Sequence, residues 1–402
     1  MKLKALTVIV ATVTSILSAA PSRAQMSGDV IRIGLLDDMS GQFSDLIGPA
    51  AADAMRMAIA DMGGAINGKK IELITFDHQN KADVAASGAR EWLDQGGVDV
   101  IVGGSNSSAG LAVSKIANDK KKPFLVIGAL TTRLTNEECS LYTIRWGIDT
   151  VALARGTAAA LVKQGVKNWF FLTADYAFGA AMEADATRVI KAGSGTVVGS
   201  VKHPLFATDF SSFLLQAQAS KAQIVAFANA GRDTVSAIKA ASEFGITKNM
   251  KMTGLLLLLN DVHALGLQTT QDMFLTDIWY WDQSAESRQF SKRFFEKAKR
   301  MPNSSQAATY SAVYQYLLAV KATGTDDPHK VMSKMRSSKL NDMYVRNGVI
   351  RPDGLLLQDV YLMQVKKPAE STTPWDYLKV VQPLSGDLAF TTKAETKCQY
   401  WK

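Results

Sequence analysis

Apolar and polar positions along the chain alternate between short strand patterns and longer helical patterns. The first repeat is an apolar run that begins at Val30, followed by a turn-rich loop and a helix with Ala54, Met57, Ala58 and Asp61 on its successive turns. Strands that alternate with helices in this way form parallel sheets with right-handed crossovers. The pattern predicts an α/β fold.

The same alternation begins again after Gly147. A helix is predicted at 151–164 and a strand at 169–172, and two further apolar strands follow at 224–228 and 251–259. Because both halves carry the same order of elements, we expect two similarly built, Rossmann-like lobes with parallel central sheets.

The stretch from Ile101 to Thr135 contains two loops that follow predicted strands. The first loop is rich in glycine, serine and asparagine and precedes a helix, and the second is small and polar. Loops at the carboxyl ends of parallel strands, followed by helix N-termini, commonly hold anions. This arrangement predicts a site for a small carboxylate. The alternative is that Ser105 to Ser108 only cap a helix.

The N-terminus has the pattern of an export signal. Lys2 and Lys4 precede an apolar run at 5–20 that is too short to span a bilayer, and Ser22-Arg23-Ala24 supplies small residues for a signal peptidase. We expect residues 1–24 to be removed after Ala24 and the mature protein to be periplasmic.

Composition and charge limit the classes of protein and of binding partner that fit this chain. The chain has 402 residues, 47% apolar and 20% charged, which suits an ordinary globular protein of two domains. The net charge of +8 is spread along the chain, and its densest run, 120–122, contains no interleaved aromatic residues, so nucleic-acid binding is not expected.

In an oxidising compartment the two cysteines, Cys139 and Cys398, are expected to form a disulfide.

Signatures of catalysis are weak. None of the four histidines has the spacing of a metal site, the GGSNS sequence lacks the last glycine of a nucleophile elbow, and there is no P-loop. We therefore expect no enzyme activity, no metal and no cofactor, and treat an exported enzyme as the minor alternative.

The order of the loops resembles a known family over the whole mature chain. An MSG loop, a G-x-x-SS-A loop, an A-x-T-x-x-LT segment and an ADYAFG loop follow one another as in the leucine/isoleucine/valine-binding class of periplasmic receptors. The resemblance implies a type I periplasmic binding protein fold, with two lobes joined by a three-segment hinge. It assigns 25–146 and 280–345 to lobe 1, and 147–279 and 346–402 to lobe 2.

The resemblance also implies which residues bind the ligand. Ser107 and Thr131 fall where hydroxyls and backbone amides hold a carboxylate, Ala129 supplies a carbonyl nearby, and Tyr176 and Phe178 fall at the aromatic positions. The facing loops add five further candidates, which are Phe43, Ser108, Leu130, Asn229 and Leu256.

One position departs from the family pattern. Leu256, within a run of five leucines whose first three we expect to form a buried strand, stands where family members place the acid that pairs with a ligand ammonium. Asp175 and Asp261 are the nearest acids that could replace it. An unpaired buried ammonium costs several kcal/mol, so an α-amino acid is a doubtful ligand.

These observations predict a monomeric solute-binding protein that delivers a small carboxylate to an ABC permease in the inner membrane. The carboxylate is an aromatic or branched aliphatic acid, or an amino acid. The alternatives are a ligand sensor for a membrane receptor and an exported enzyme on the same fold.

Overall fold

The computed structural model describes residues 26–402. The expected export signal and its cleavage after Ala24 lie outside the described residues and stay predictions. Within residues 26–402, no helix is both long and apolar enough to cross a membrane.

The first third of the chain builds a six-stranded sheet with the order β2-β3-β1-β4-β5-β6. All neighbours are parallel except the short β2–β3 pair. A 3₁₀ turn (Thr132–Thr135) precedes the last strand. The elements are β1 (Val30–Asp37), α1 (Gly48–Asp61), β2 (Ala65–Ile66), β3 (Lys69–Asp77), α2 (Ala82–Asp94), β4 (Val100–Gly103), α3 (Ser107–Asp119), β5 (Phe124–Val126) and β6 (Thr143–Arg145).

The second lobe repeats this plan with a parallel sheet of order β10-β9-β7-β8. A π-helical turn (Ala154–Ala158) interrupts its first helix, and a 3₁₀ turn (Ile246–Lys248) precedes its last parallel strand. The elements are α4 (Thr150–Leu153), α5 (Ala159–Lys163), β7 (Asn168–Ala174), α6 (Ala177–Ala192), β8 (Thr196–His203), α7 (Ser211–Ala219), β9 (Ile224–Ala228), α8 (Arg232–Glu243), β10 (Lys251–Gly254), α9 (Leu259–Leu265) and α10 (Leu267–Thr270). The predicted two-lobed α/β architecture is confirmed.

The last third returns to the first lobe and then adds an antiparallel sheet, β11-β14-β15, to the second. Helices α11 and α12 pack against α1. The elements are β11 (Phe274–Asp277), α11 (Ala285–Ala298), α12 (Ser304–Thr323), α13 (Pro328–Ser337), β12 (Val349–Ile350), β13 (Leu356–Leu357), β14 (Val360–Val365), a 3₁₀ turn (Pro368–Glu370), β15 (Leu378–Leu384) and α14 (Gly386–Ala389).

The segment that contains β12 and β13 lies with the first lobe, whereas the sequence-based division placed it in the second. Leu355 bridges to Arg145 of β6, and β12 contacts α13. A buried Arg351–Asp353 ion pair stabilises the turn between the two short strands. The chain therefore crosses to β14 about a dozen residues later than expected.

The prediction that the first three leucines of 255–259 form a buried strand is wrong. Strand β10 ends at Gly254, and the next four leucines bend into the interior before α9 begins at Leu259. The parallel ladder stops because its neighbour β9 ends at Ala228, so Leu255 makes the last backbone bond, to the Phe227 carbonyl at 3.1 Å. The aromatic-rich sequence at 274–281 also forms only a short strand, because β11 ends at Asp277.

The C-terminal tail returns to the first lobe. Cys398, which is fully buried, is joined to Cys139 by a disulfide. On the second lobe, Arg155 donates to the Phe390 carbonyl at 2.6 Å and pairs with Glu395. The tail thus contacts both lobes.

Candidate functional site

A cavity lies between the lobes at the carboxyl ends of both parallel sheets. It contains about 550 Å³ of space that protein atoms leave empty, part of it open to solvent. The first lobe contributes the loops after β4 and β5, and the second contributes the start of α6 and the bend after β10. The crossing segments supply Ile148 and Ile278.

Three helices of the first lobe begin at this cavity. Its lining includes Ile47 just before α1, Ser107 at the start of α3, and Ser304 at the start of α12. The first N–H groups of a helix have no partner within the helix, and the helix dipole places positive potential there. This wall of the cavity therefore favours an anion without using a charged side chain.

Asn106 caps α3, so the serines are not needed for that task. The Asn106 side chain accepts the N–H groups of Ser108 at 2.7 Å and Ala109 at 3.1 Å, and it donates to Asn80 at 2.6 Å. The Ser107 hydroxyl accepts only the Thr131 N–H, at 3.3 Å, and lines the cavity. The residue that caps this helix is therefore Asn106, and the serines on either side of it do not serve as the cap.

A buried arginine organises the second loop. The guanidinium of Arg145, with no exposed surface, donates to the carbonyls of Ala129, Thr131 and Ile148. Burial lowers the pKa of Arg145 to about 10, against the opposing effect of nearby Asp149, so it stays protonated at neutral pH. The loop carbonyls face this cation, which leaves Leu130 to line the cavity.

Thr131, whose backbone N–H donates to the Ser107 hydroxyl, is completely buried. Its hydroxyl has no hydrogen-bond partner within residues 26–402. A buried hydroxyl without a partner is costly, and an acceptor placed between the two loops would satisfy it.

Aromatic and aliphatic side chains form the opposite wall. Tyr176 and Phe178 have ring centroids 5.9 Å apart, and Phe43 of the first lobe packs against Tyr176 at 6.2 Å. Leu256 and Leu258 complete this wall. Burial raises the pKa of the Tyr176 phenol, which therefore stays neutral.

The ten candidate residues separate into two groups. Those that line the cavity are Ser107, Leu130, Tyr176, Phe178 and Leu256. Those that lie outside the lining are Phe43, Ser108, Ala129, Thr131 and Asn229. Asn229 is occupied elsewhere, because its side-chain oxygen accepts the Thr234 hydroxyl at 2.8 Å.

Within the described part of the chain, no aspartate, glutamate, lysine, arginine or histidine lines the cavity. Asp175 pairs with Lys202 at the surface, at 2.9 Å. Asp261 is buried and accepts the Leu258 N–H at 2.9 Å, and burial raises its pKa to about 7. Neither acid occupies the place that Leu256 takes in the cavity wall.

Several lining residues were missed by sequence reasoning. These are chiefly Ser105, Ile148, Ser304, Ser305 and Tyr344. A local signal existed for α12, since Asn303 and Gln306 form a reciprocal capping box that marks a helix start. Nothing local shows that this helix begins at the cavity. Arg145 was also missed, although a charge inside an apolar strand was a usable signal.

The lobes are closed over the cavity. Gln42 of the first lobe donates to the Ala230 carbonyl of the second at 3.1 Å, and Asn303 donates to the Asn260 side chain at 2.9 Å. A cavity with serine hydroxyls and helix N-termini on one side, and with no charged side chain from residues 26–402 in its lining, can bind an anion.

The model of one protein family, described as periplasmic binding protein, matches residues 30–371. The chain belongs to the periplasmic binding protein family. Membership implies an extracytoplasmic location, and the family consists of substrate-binding transport proteins.

Solved relatives agree with this assignment. A periplasmic binding protein from Burkholderia mallei is 57% identical, covers 93% of this chain and 100% of its own, and superposes with a TM-score of 0.92. A branched-chain amino acid ABC transporter ligand-binding protein from Burkholderia xenovorans is 38% identical, with coverages of 92% and 100% and a TM-score of 0.82.

A more distant structure shares the fold. It is the solute-binding protein of an ABC transporter from R. palustris in complex with benzoate, 20% identical, with coverages of 92% and 99% and a TM-score of 0.81. In this periplasmic binding protein, then, the interlobe cavity described above is the candidate ligand site.

Proposed function

We propose that this periplasmic binding protein binds a small carboxylate that has an apolar body and no α-amino group, and that it delivers this ligand to an ABC importer. The observation that carries the proposal is the cavity lining, which has three helix N-termini and no charged side chain among residues 26–402. Such a lining compensates one negative charge and no positive charge.

The carboxylate belongs at the start of α3. There the Ser107 hydroxyl lines the cavity at the positive end of the α3 dipole, and the unpartnered Thr131 hydroxyl belongs to the adjoining loop. Hydrogen bonds to a charged group contribute about 1.5–3 kcal/mol each, so two or three of them account for micromolar affinity together with apolar contact.

The apolar body belongs against the wall formed by Tyr176, Phe178 and Leu256. Burial of apolar surface contributes about 25 cal/mol per Å², so an aromatic ring or a branched chain gains several kcal/mol there. Ile148 and Ile278 of the crossing segments close the same space from the hinge side.

An amino acid is the competing ligand. It is favoured by the Burkholderia xenovorans relative, which is named for branched-chain amino acids. The distant benzoate complex is an example of an aromatic acid on this fold. Leu256 decides between them in our proposal, because a leucine offers an ammonium no compensating charge and its desolvation then costs several kcal/mol.

Titration calorimetry tests the ligand class. Benzoate, phenylpropanoate and 4-methylpentanoate should bind at least about tenfold more tightly than phenylalanine and leucine, a difference of about 1.4 kcal/mol or more. Leu256→Glu should weaken the acids more than Leu256→Gln, which has the same shape without the charge. Tighter binding of the amino acids by the wild type would contradict the proposal.

Delivery is tested in cells. Uptake of the radiolabelled acid that binds most tightly should depend on this protein and should be lost when Ser107→Ala replaces it. If cells without this protein take up the acid normally but no longer respond to it, a role as a ligand sensor would be favoured.

A further inference from the structure

A second cavity lies at the mouth of the cleft, outside the inner one. It contains about 1030 Å³ of space free of protein atoms, part of it open to solvent. Both lobes line it. We call it the vestibule and define it by Asp45, Arg232, His263, Lys299, Arg300 and Trp375.

Cationic side chains outnumber exposed carboxylates in the vestibule. Arg232 begins α8 of the second lobe, and Lys299 and Arg300 follow α11 of the first. Among the vestibule residues within 26–402, the one exposed carboxylate is that of Asp45, which lies 3.8 Å from Arg232 and 3.4 Å from Arg300. Two arginines from opposite lobes thus already face a single carboxylate, and a cationic excess remains.

One wall of the vestibule is aromatic and rigidly held. The Trp375 ring stacks on His263, with centroids 3.8 Å apart and planes 13° from parallel. Trp375 has φ of 71°, a rare conformation for a bulky residue, and its carbonyl accepts bonds from Tyr280 at 3.1 Å and Trp281 at 2.9 Å. Strained backbone of this kind persists only where the surroundings hold it.

The vestibule adjoins the inner cavity. Leu46 lines both, and Ala230 of the inner cavity is followed in the chain by Gly231 of the vestibule. The barrier between them contains the Gln42–Ala230 hydrogen bond described above. A ligand that enters when this contact opens passes the cationic side chains first.

We propose that the vestibule is an anion-capture site, where Arg232, Arg300 and Lys299 attract the carboxylate of the ligand before it reaches the inner cavity. This inference rests on the proposed function in taking the ligand to be a carboxylate. The inner cavity has no charged side chain among the described residues, so long-range attraction toward the cleft must come from its mouth. The aromatic wall gives an apolar ligand body a transient surface for contact.

Stopped-flow measurement of benzoate association tests the capture site. Arg232→Gln and Arg300→Gln should each lower the association rate constant about threefold or more at low ionic strength. The differences should vanish in 0.5 M salt, and the dissociation rate constants should stay unchanged. Arg90→Gln, an equal charge change on an exposed part of α2, is the matched control and should have little effect.

Asp45→Asn separates capture from a simpler role. Since Asp45 competes for the same arginines, its removal should accelerate association. If the ion pairs only hold the lobes closed, Asp45→Asn and Arg232→Gln would both accelerate dissociation and leave association alone, which would overturn the proposal.

A second measurement needs no bound ligand. Iodide quenching of the fluorescence assigned to Trp375, taken as wild type minus Trp375→Phe, should fall in Arg232→Gln and Arg300→Gln, while quenching by neutral acrylamide should not change. If no carboxylate binds the wild type, the proposed function fails. Iodide quenching then remains as the test of whether the vestibule attracts anions. Equal iodide quenching in all variants would overturn the capture site.

Discussion

At the scale of single residues, Ser107 and Ser108 show how position decides the role of identical side chains. Ser107 is 1% exposed, accepts the Thr131 N–H and lines the cavity. Ser108 is half-buried, outside the lining, and its backbone N–H is bonded to Asn106. Only the first hydroxyl is placed to donate to a ligand.

Ser107→Ala should therefore lower the affinity for benzoate by about 1.5–3 kcal/mol, or one to two decades, because a charge-assisted hydrogen bond is lost. Ser108→Ala removes the same atom one residue away and should leave affinity within about twofold. Titration calorimetry checks both. Equal affinities of the two variants would show that the carboxylate does not lie at the start of α3.

Asp277 contributes to the free energy of unfolding by an amount that depends on pH. Its side chain is 4% exposed, and burial raises its pKa to about 7 despite hydrogen bonds from Ser304 and the Ile278 N–H. The folded state therefore holds a proton that the unfolded chain, with a pKa near 3.8, has released. Its contribution to stability is complete below about pH 4, is lost as the pH rises to 7, and is constant above.

Asp277→Asn removes this titration. The free energy of unfolding of the variant, relative to wild type, should rise between pH 4 and 7 and then level off. One realised pKa unit corresponds to about 1.4 kcal/mol, which urea unfolding at several pH values resolves. A difference that does not change with pH would argue against a raised pKa. Asp37 and Asp261, each with a pKa raised to about 7, act in the same direction in both proteins.

At the scale of elements, the two loops that follow β4 and β5 and line the cavity are held together by close packing of α3. A Cβ atom on Gly110 of this helix would lie 2.4 Å from the Cβ of Ala129 in the second loop. Arg145 fixes the same loop from the other side through its bonds to the carbonyls. The loop between them has little freedom to move.

Gly110→Ala should therefore destabilise the protein by about 1–3 kcal/mol, because overpacking outweighs the gain of about 1 kcal/mol that alanine normally brings to a helix. Affinity for the ligand should fall as well, since the second loop must shift. Lys115→Ala, on the exposed side of the same helix, is the control. Increased stability of Gly110→Ala in denaturant unfolding would disprove the close contact.

At the scale of the whole molecule, three chain crossings connect the lobes. The C-terminal tail adds a further connection, because it contacts Arg155 of the second lobe and is joined to Cys139 of the first. The Cys139–Cys398 disulfide joins residues 259 positions apart. Closing so long a loop restricts the unfolded chain, and the entropic model gives roughly 5 kcal/mol as an upper figure.

Reduction of the disulfide should lower the free energy of unfolding by about 2–5 kcal/mol and lower the melting temperature. The double variant Cys139→Ser and Cys398→Ser should be equally destabilised, and its melting temperature should not respond to reductant. Thermal unfolding with and without a dithiol makes the comparison. Two titratable thiols in the untreated, denatured protein would show that the bond does not form.

The sequence by itself determined the parallel α/β architecture, the two lobes and five of the residues that line the cavity. The architecture follows from local properties, namely the period of apolar positions and the loops that end strands. Of the five lining residues, Ser107, Tyr176 and Phe178 were implied by the resemblance to a known family, and Leu130 and Leu256 by their place in the facing loops. The end of β10, the convergence of α12 on the cavity and the role of Arg145 were decided only by tertiary structure. The physical reason is that each depends on contacts between segments far apart in the chain: a neighbouring strand that stops, a helix that returns to the first lobe, and loop carbonyls gathered around a buried charge.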